Sequence, residues 1–284
     1  MTHEPAHLIA LATELEKEGQ YNGAKLLRAA AQALVLREAR SVRVALDVDT
    51  QADQLEQLAG ELDAGPAATL AGPLLATARA LRASTVPLYA EAPDPHVCRI
   101  CGAVSLEPFP ARCPDCGRWP DTAERFRPIY WQRASTPPEA IALLARTPDV
   151  IAEVLSDALT DVPGPDGGWT AHQTLEHLHN AQSIFRGRID QLLAGGEPEL
   201  ASVMVWRMAG DAVTTSELLE GYRTLREEIV DLLTSAPVEA WWNAGHHEEF
   251  GRVTLAEQAS YFANHEPTHL AQLADAATSG DPAT

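Results

Sequence analysis

Over residues 135–280 four segments each begin with a threonine three residues before a glutamate or glutamine: Thr136 with Glu139, Thr170 with Gln173, Thr214 with Glu217, and Thr254 with Glu257. At this spacing the hydroxyl accepts from an amide of the first helical turn, and the longer side chain accepts from the threonine's own amide. Two groups orphaned at a helix start are thereby satisfied together. Behind each pair runs an apolar stripe at helical spacing, such as Ile141, Leu144 and Ile151 in the first and Leu218, Leu225, Ile229 and Leu232 in the third. Four amphipathic helices of similar length bury their stripes best against one another, so residues 135–280 are expected to form a four-helix bundle. The connections after the second and third helices are long. They hold Gly195-Gly196, Trp206, Trp241-Trp242, His246-His247 and Gly251, and connections of this size often carry function.

Two further regions precede the bundle. Residues 1–92 are rich in Ala, Leu and Glu with helical periodicity, for example Leu8, Leu11, Ala12 and Leu15, then Leu26, Leu27, Ala30, Leu34 and Val35. Three or four helices are expected, broken at Gly65-Pro66 and ended by Glu91 to Pro95. Residues 93–134 hold all four cysteines and the aromatics Phe109, Trp119, Phe126, Tyr130 and Trp131. The fold class is therefore mainly α, with an N-terminal helical region and a C-terminal bundle flanking a small cysteine unit.

The formal charge of -19 is uneven: residues 135–284 hold 7 Lys and Arg against 23 Asp and Glu. A surface so acidic repels phosphate backbones and anionic lipid and attracts divalent cations, so nucleic acid is not an expected partner. No apolar run is long enough for a membrane span, and no basic-flanked leader is evident. With every cysteine inside one short segment, no long-range disulfide is available, which fits a reducing, cytoplasmic setting.

Cys98-x2-Cys101-Gly102 and Cys113-Pro114-x-Cys116-Gly117 form two tight turns able to present four thiolates to one tetrahedral ion. Residues 96–120 resemble the rubredoxin-like ribbon at the end of rubrerythrins. Four sulfurs close the coordination sphere, so a structural zinc, or an iron, is expected to staple a unit too small for a core of its own. The nearby Arg112, Arg118, Arg125 and Arg127 read as a solvated face.

The bundle carries a second metal pattern. From His177, steps of three and four meet Ala181, Ile184 and Arg188, beside the stripe of Leu178, Phe185 and Ile189, so His177 points inward. His172 and His179 fall on other faces and are expected to be exposed. In the fourth helix His269 lies on the stripe of Leu255, Phe262 and Leu273, with His265 one turn earlier on the same side. A lone buried histidine is usually a hydrogen-bonded core residue. Three inward ones without a shared partner are costly, and one ion satisfies them together.

The order Trp169-Thr170, His177-Leu178, His247-x3-Gly251-x2-Thr254-Leu255 and His265-Glu-Pro-Thr-His269-Leu-x-Gln272 resembles the DinB-like (DinB/YfiT) superfamily over residues 135–280. The resemblance implies a four-helix bundle with one divalent zinc, nickel or iron on His177, His265 and His269. Relatives include thiol transferases, a thiol-dependent isomerase and damage-inducible proteins of unassigned chemistry. It also suggests a homodimer. About 130 N-terminal residues have no counterpart in most relatives.

Two other patterns compete. His265-Glu266-x-x-His269 fits the zinc-protease expression, but Pro267 interrupts amide bonding in that helix and no third ligand follows His269. Glu176-x-x-His179 and Glu266-x-x-His269 have di-iron spacing, but Glu176 and His179 lie on the polar side, away from the interior that His177 faces. Three neutral nitrogens leave open positions on an ion. The expected function is activation of a small thiol or water against an electrophilic small molecule, as a thiol transferase or hydrolase. Glu266 is the candidate base, Gln272 a ligand-orienting residue, and His247 an approach to the open side. The alternative is a non-catalytic metal-binding module for stress or damage response, recruiting a protein partner through its N-terminal helices and ribbon.

Overall fold

A computed structural model describes residues 4–42, 47–62, 65–131, 133–155, 168–203 and 213–278. The contacts divide the chain into two compact units, Met1–Gln51 and Ala52–Thr284. Trp206 lies outside the described residues.

In the first unit α1 (Pro5–Lys17) and α2 (Tyr21–Ala39) form an antiparallel pair. Gly19, at φ 74°, makes the turn between them. The shared face is narrow: Leu8 and Ala12 meet Ala24 and Ala31, and Arg28 grips both oxygens of Glu16 at 2.9 Å. Leu26, Leu34 and Val35, read above as stripe, are exposed. The small alanines let the two backbones approach and displace the leucines from the seam.

The helix α3 (Val48–Leu62) carries the boundary, and α4 (Ala71–Arg82) follows it. Arg82 pairs with Asp53 and Glu56 and so ties α4 to α3. The cysteine unit is a three-stranded antiparallel sheet in the order β2 (Val104–Leu106), β1 (Pro95–Cys98), β3 (Ala123–Arg125), with Val97 opposite Val104 on one side and Glu124 on the other.

The bundle is built from α5 (Pro137–Leu155), α6 (Ala171–Ala194), α7 (Thr215–Ser235) and α8 (Leu255–Thr278). Thr170, Thr214 and Thr254 each accept from the amide three residues on, and the partner Gln173, Glu217 or Glu257 accepts from the threonine amide. At Thr136 the glutamate accepts from both the amide and the hydroxyl. The core holds Leu144, Phe185, Ile189, Ile229, Leu255 and Phe262, with Phe185 stacked on Phe262 at 4.0 Å. Pro267 sits inside α8 without ending it.

The two connections read as loops contain a small sheet. β4 (Glu199–Leu200) pairs in parallel with β5 (Ala244–His247), which forms a hairpin with β6 (Gly251–Thr254). Strands of two to four residues, rich in Gly and His, carry no alternating pattern to read. Two glycines permit the assembly. A Cβ at Gly245 would lie 2.6 Å from the Pro198 carbonyl oxygen, and one at Gly251, where φ is +69°, would lie 2.8 Å from the Tyr89 ring.

One buried guanidinium joins all four bundle helices. Arg226 on α7 is 1% exposed. Its Nε donates to Gln182 Oε1 on α6 at 2.6 Å, and Nη1 donates to the Leu144 carbonyl on α5 and to Glu266 Oε2 on α8. Its Nη2 donates to the Tyr222 hydroxyl at 2.8 Å and to Glu266 Oε1. All five donors are used. The Tyr222 hydroxyl in turn donates to Glu266 Oε1 at 3.0 Å, and Gln182 Nε2 donates to the Tyr222 carbonyl. Removing one charge of such a pair strands the other. Glu266→Gln or Arg226→Met is expected to cost about 3–5 kcal/mol in denaturant unfolding, and the joint Arg226→Met/Glu266→Leu exchange is expected to cost less than either single change.

Candidate metal centre

The capping box at Thr170 fixes where α6 begins, and with it the inward direction of His177 two turns on. On α8, His265 and His269 are one turn apart, and both are buried. The three rings meet between α6 and α8. Ring centres are 4.4 Å apart for His265 and His269, 4.6 Å for His177 and His269, and 5.5 Å for His177 and His265. One nitrogen of each lies within 4.8 Å of the others. Nitrogens on a shared tetrahedral ion sit about 3.3 Å apart, and the Nε2 atoms of His265 and His269 are 2.9 Å apart.

The protonation chemistry suits ligands. Burial, then the charge of His269, pushes His177 down to about 4. Burial, then His269 and His177, pushes His265 down to about 3, and burial lowers His269 as well. Neutral imidazole is the ligating form. His269 Nδ1 donates to Gln272 Oε1 at 2.7 Å, which leaves its Nε2 lone pair facing the other two rings. Both ring nitrogens of His177 and Nδ1 of His265 are buried with no hydrogen-bond partner. A buried His177 ring with no partner, set beside the facing Nε2 atoms of His265 and His269, fits a site that takes a cation.

Aromatic rings enclose the trio. Trp169 stacks on His269 at 6.4 Å and tilts against His177 at 5.0 Å. Tyr130 meets His265 edge-on at 5.0 Å, and Tyr261 lies parallel to it at 5.9 Å. A cavity of about 300 Å³ opens beside the histidines, lined also by Ile184, Arg188, Ser202, His247, Glu249 and Phe250. Tyr130 comes from the segment between the cysteine unit and α5, and no local pattern announces it.

The remaining candidates are placed as follows. Gln272 orients a histidine rather than a bound ligand. His247, at the end of β5, reaches the cavity wall. Glu266 does not. It is 2% exposed, with both oxygens taken by Arg226 and Tyr222, so the reading of it as base is corrected to an anchor of α8. The same pairing removes it as a protease base and as a di-iron ligand. His172 and His179, expected on the surface, are half-buried, and His172 Nδ1 bonds Thr215 Oγ1 at 2.8 Å, tying α6 to α7. The isolated-helix reading counts only one helix's faces and misses that neighbour.

The four cysteines also converge. Cys98 and Cys116 sulfurs are 3.7 Å apart, and Cys101 and Cys113 sulfurs 3.6 Å, close to the roughly 3.8 Å edge of a tetrahedral zinc–thiolate site. Gly102 and Gly117, at φ 78° and 69°, close the two turns, each donating its amide to the carbonyl of the first cysteine, Cys98 or Cys113, at 2.9 Å. Burial opposes ionisation of Cys98, and the amides of Cys101 and Ile100 with the neighbouring sulfurs outweigh it, so its thiol falls to about 6. Arg125 and Arg127 are not a solvated face: both pair with Asp94, and Arg127 also pairs with Glu257. Among the described residues these two clusters are the groups with metal-ligand geometry.

Residues 140–273 match the DinB superfamily. The match covers just under half of the chain. No curated protein matches it. Among solved structures, one similar chain is described as "YfiT from Bacillus subtilis is a probable metal-dependent hydrolase with an unusual four-helix bundle topology". It is 20% identical with a TM-score of 0.46, covering 52% of this chain and 89% of that one. Among the described residues no helix is long and apolar enough to cross a membrane.

Two outcomes follow from the geometry. Elemental analysis is expected to find two ions per chain, one lost in His177→Ala, and Gln272→Ala is expected to weaken the histidine site about 10–100-fold. In the metal-free chain the histidine pKa values lie below the unfolded value of 6.5. Their contribution to stability is therefore full above pH 6.5 and is lost as the pH falls toward 4, where unfolded imidazoles take up protons that the buried ones refuse. Denaturant titrations at pH 7 and pH 5 are expected to differ less in His177→Gln.

Proposed function

We propose that the chain is a metal-dependent enzyme in which His177, His265 and His269 hold one divalent ion, zinc, nickel or iron. A small nucleophile, water or a low-molecular-weight thiol, is then directed at an electrophile in the adjoining cavity. The observation that carries this reading is the position of the trio: three neutral imidazoles share one point at the wall of a cavity large enough for a small molecule. The superfamily match at residues 140–273 supports it. When bound, the ion supplies the positive charge that acidifies a water or thiol beside it.

The chain's own groups do the rest. Three nitrogen donors leave positions open for a reactant, where a fourth protein ligand would close the site. Gln272 keeps His269 in the tautomer whose Nε2 faces the centre. Trp169, Tyr130 and Tyr261 wall off bulk water and offer flat apolar surface to an organic reactant. Glu249, rather than Glu266, is the carboxylate that lines the cavity; burial raises its pKa, and the Ser202 hydroxyl donates to Oε2 at 3.0 Å. Cys98, Cys101, Cys113 and Cys116 hold a structural zinc or iron in this reading, since four sulfurs leave no open position.

The test strips the protein with chelator and reloads it with zinc, nickel or iron. Each form is assayed for hydrolysis of an activated aryl ester and for conjugation of low-molecular-weight thiols to chlorodinitrobenzene. Turnover is expected to return with metal and to fall to background in His269→Ala, with the cysteine site still loaded. Turnover equal in the stripped protein, or undiminished in the variant, overturns the assignment.

A further inference from the structure

The cavity beside the histidines carries two hydrogen-bond donors that the metal reading does not use. Arg188 lies eleven residues after His177, three turns along the same face of α6. Its guanidinium is half-buried, and Nη2 donates to the Ala201 carbonyl at 2.8 Å. Among the described residues it makes no ion pair, although burial disfavours its charge. A guanidinium stays protonated even so, and its remaining donors need acceptors. His247 supplies the second donor. It is 3% exposed, and its Nδ1 accepts from the Glu249 amide at 3.1 Å. The neutral ring therefore carries its proton on Nε2, which is buried and without a partner. Burial, then the charge of Arg188, pushes this histidine down to about 3, which keeps it neutral, and the two residues line the same cavity.

We propose that Arg188 and His247 form the receptor for a carboxylate on the small molecule that occupies this cavity. A planar guanidinium with N–H groups to spare and a buried imidazole N–H, both lining one cavity, suit two oxygens of one anion. Apart from Ser202, Glu249 and the three histidines, the remaining lining is apolar and aromatic, including Ile184, Phe250, Tyr261 and Phe262, so the body attached to the carboxylate is apolar. Glu249 is the opposing group. It is the carboxylate among the lining residues, and its charge is felt by Arg188 without a direct pair. Burial raises its pKa, which limits that opposition, although the bond from Ser202 works the other way. The inference rests on the cavity being the substrate site, and its test measures binding alone, so it stands or falls separately from turnover.

Benzoate and 3-phenylpropionate, with benzamide and 3-phenylpropionamide as uncharged counterparts, are titrated into the metal-loaded protein by calorimetry. The carboxylates are expected to bind more tightly than their amides. Arg188→Gln is expected to weaken the carboxylates about tenfold or more and leave the amides unchanged, with Arg188→Lys retaining part of the preference. Glu249→Gln, which removes the like charge, is expected to strengthen carboxylate binding. The same titration in His177→Ala separates the receptor from the ion. Carboxylate affinity that persists there and depends on Arg188 supports the receptor. Affinity that vanishes there while surviving Arg188→Gln assigns the anion to the metal and overturns the proposal. Equal affinity for carboxylates and amides in the unaltered protein overturns it as well.

Discussion

The geometry of the metal centre depends on a charge buried elsewhere. Glu266 and His265 are neighbours on α8, so they point about 100° apart around the helix axis. By gripping both oxygens of Glu266, Arg226 fixes the rotation of α8 about its own axis, and that rotation sends His265 and His269 to the cavity side. A helix packed through apolar contacts alone can slide by fractions of a turn at modest cost. A guanidinium whose five donors each have one acceptor allows no such slip without stranding a charge. Because those acceptors come from every helix of the bundle, the clamp also sets the direction of His177 on α6 relative to the pair on α8.

The cysteine unit bears on the same centre through the segment that follows it. Arg127 pairs with Asp94, just before the central strand β1, and with Glu257, the capping residue of α8. Beyond it, Trp131 packs against Phe250 and Tyr261, and Tyr130 meets His265 edge-on. Asn264 on α8 donates to the Arg133 carbonyl, and Ser260 accepts from the Ser135 amide. The segment that leaves the cysteine sheet thus lines the histidine cavity through Tyr130. The cysteine and histidine clusters are linked through α8.

Much of this arrangement was legible before any coordinates. The four threonine pairs mark the bundle helices because a threonine and a glutamate or glutamine three residues apart act locally at a helix start. The cysteine turns and the converging histidines were readable for the same reason: spacing along one chain segment fixes which side chains share a face. What stayed hidden depends on neighbours. Glu266 reads as an accessible acid beside two histidines until Arg226 is seen opposite it. The signal was present, since Leu218, Tyr222, Arg226 and Ile229 share a stripe and an arginine on an apolar face demands a partner. His172 and His179 read as exposed because their covering residues lie on α7. The sheet of β4, β5 and β6 escaped notice because strands this short gain their stability from long-range pairing, not from local preference.

The acidic surface and the cationic cavity answer different distances. The excess of acidic groups over residues 135–284 sets the long-range field, which excludes polyanions that must approach with many charges at once. Surface charges are screened beyond about 8–10 Å in physiological salt, so a small molecule inside the cavity responds to what lines it. There the three clustered histidines are neutral and Glu266 is consumed by Arg226. Glu249 is drawn toward its protonated form by burial, while Arg188 keeps its charge. Replacing any of those neutral ligands with a carboxylate would lower the charge of a loaded centre and oppose an anionic ligand. Three imidazoles would therefore serve both tasks at once, able to hold a cation while leaving its charge uncancelled for whatever enters the cavity.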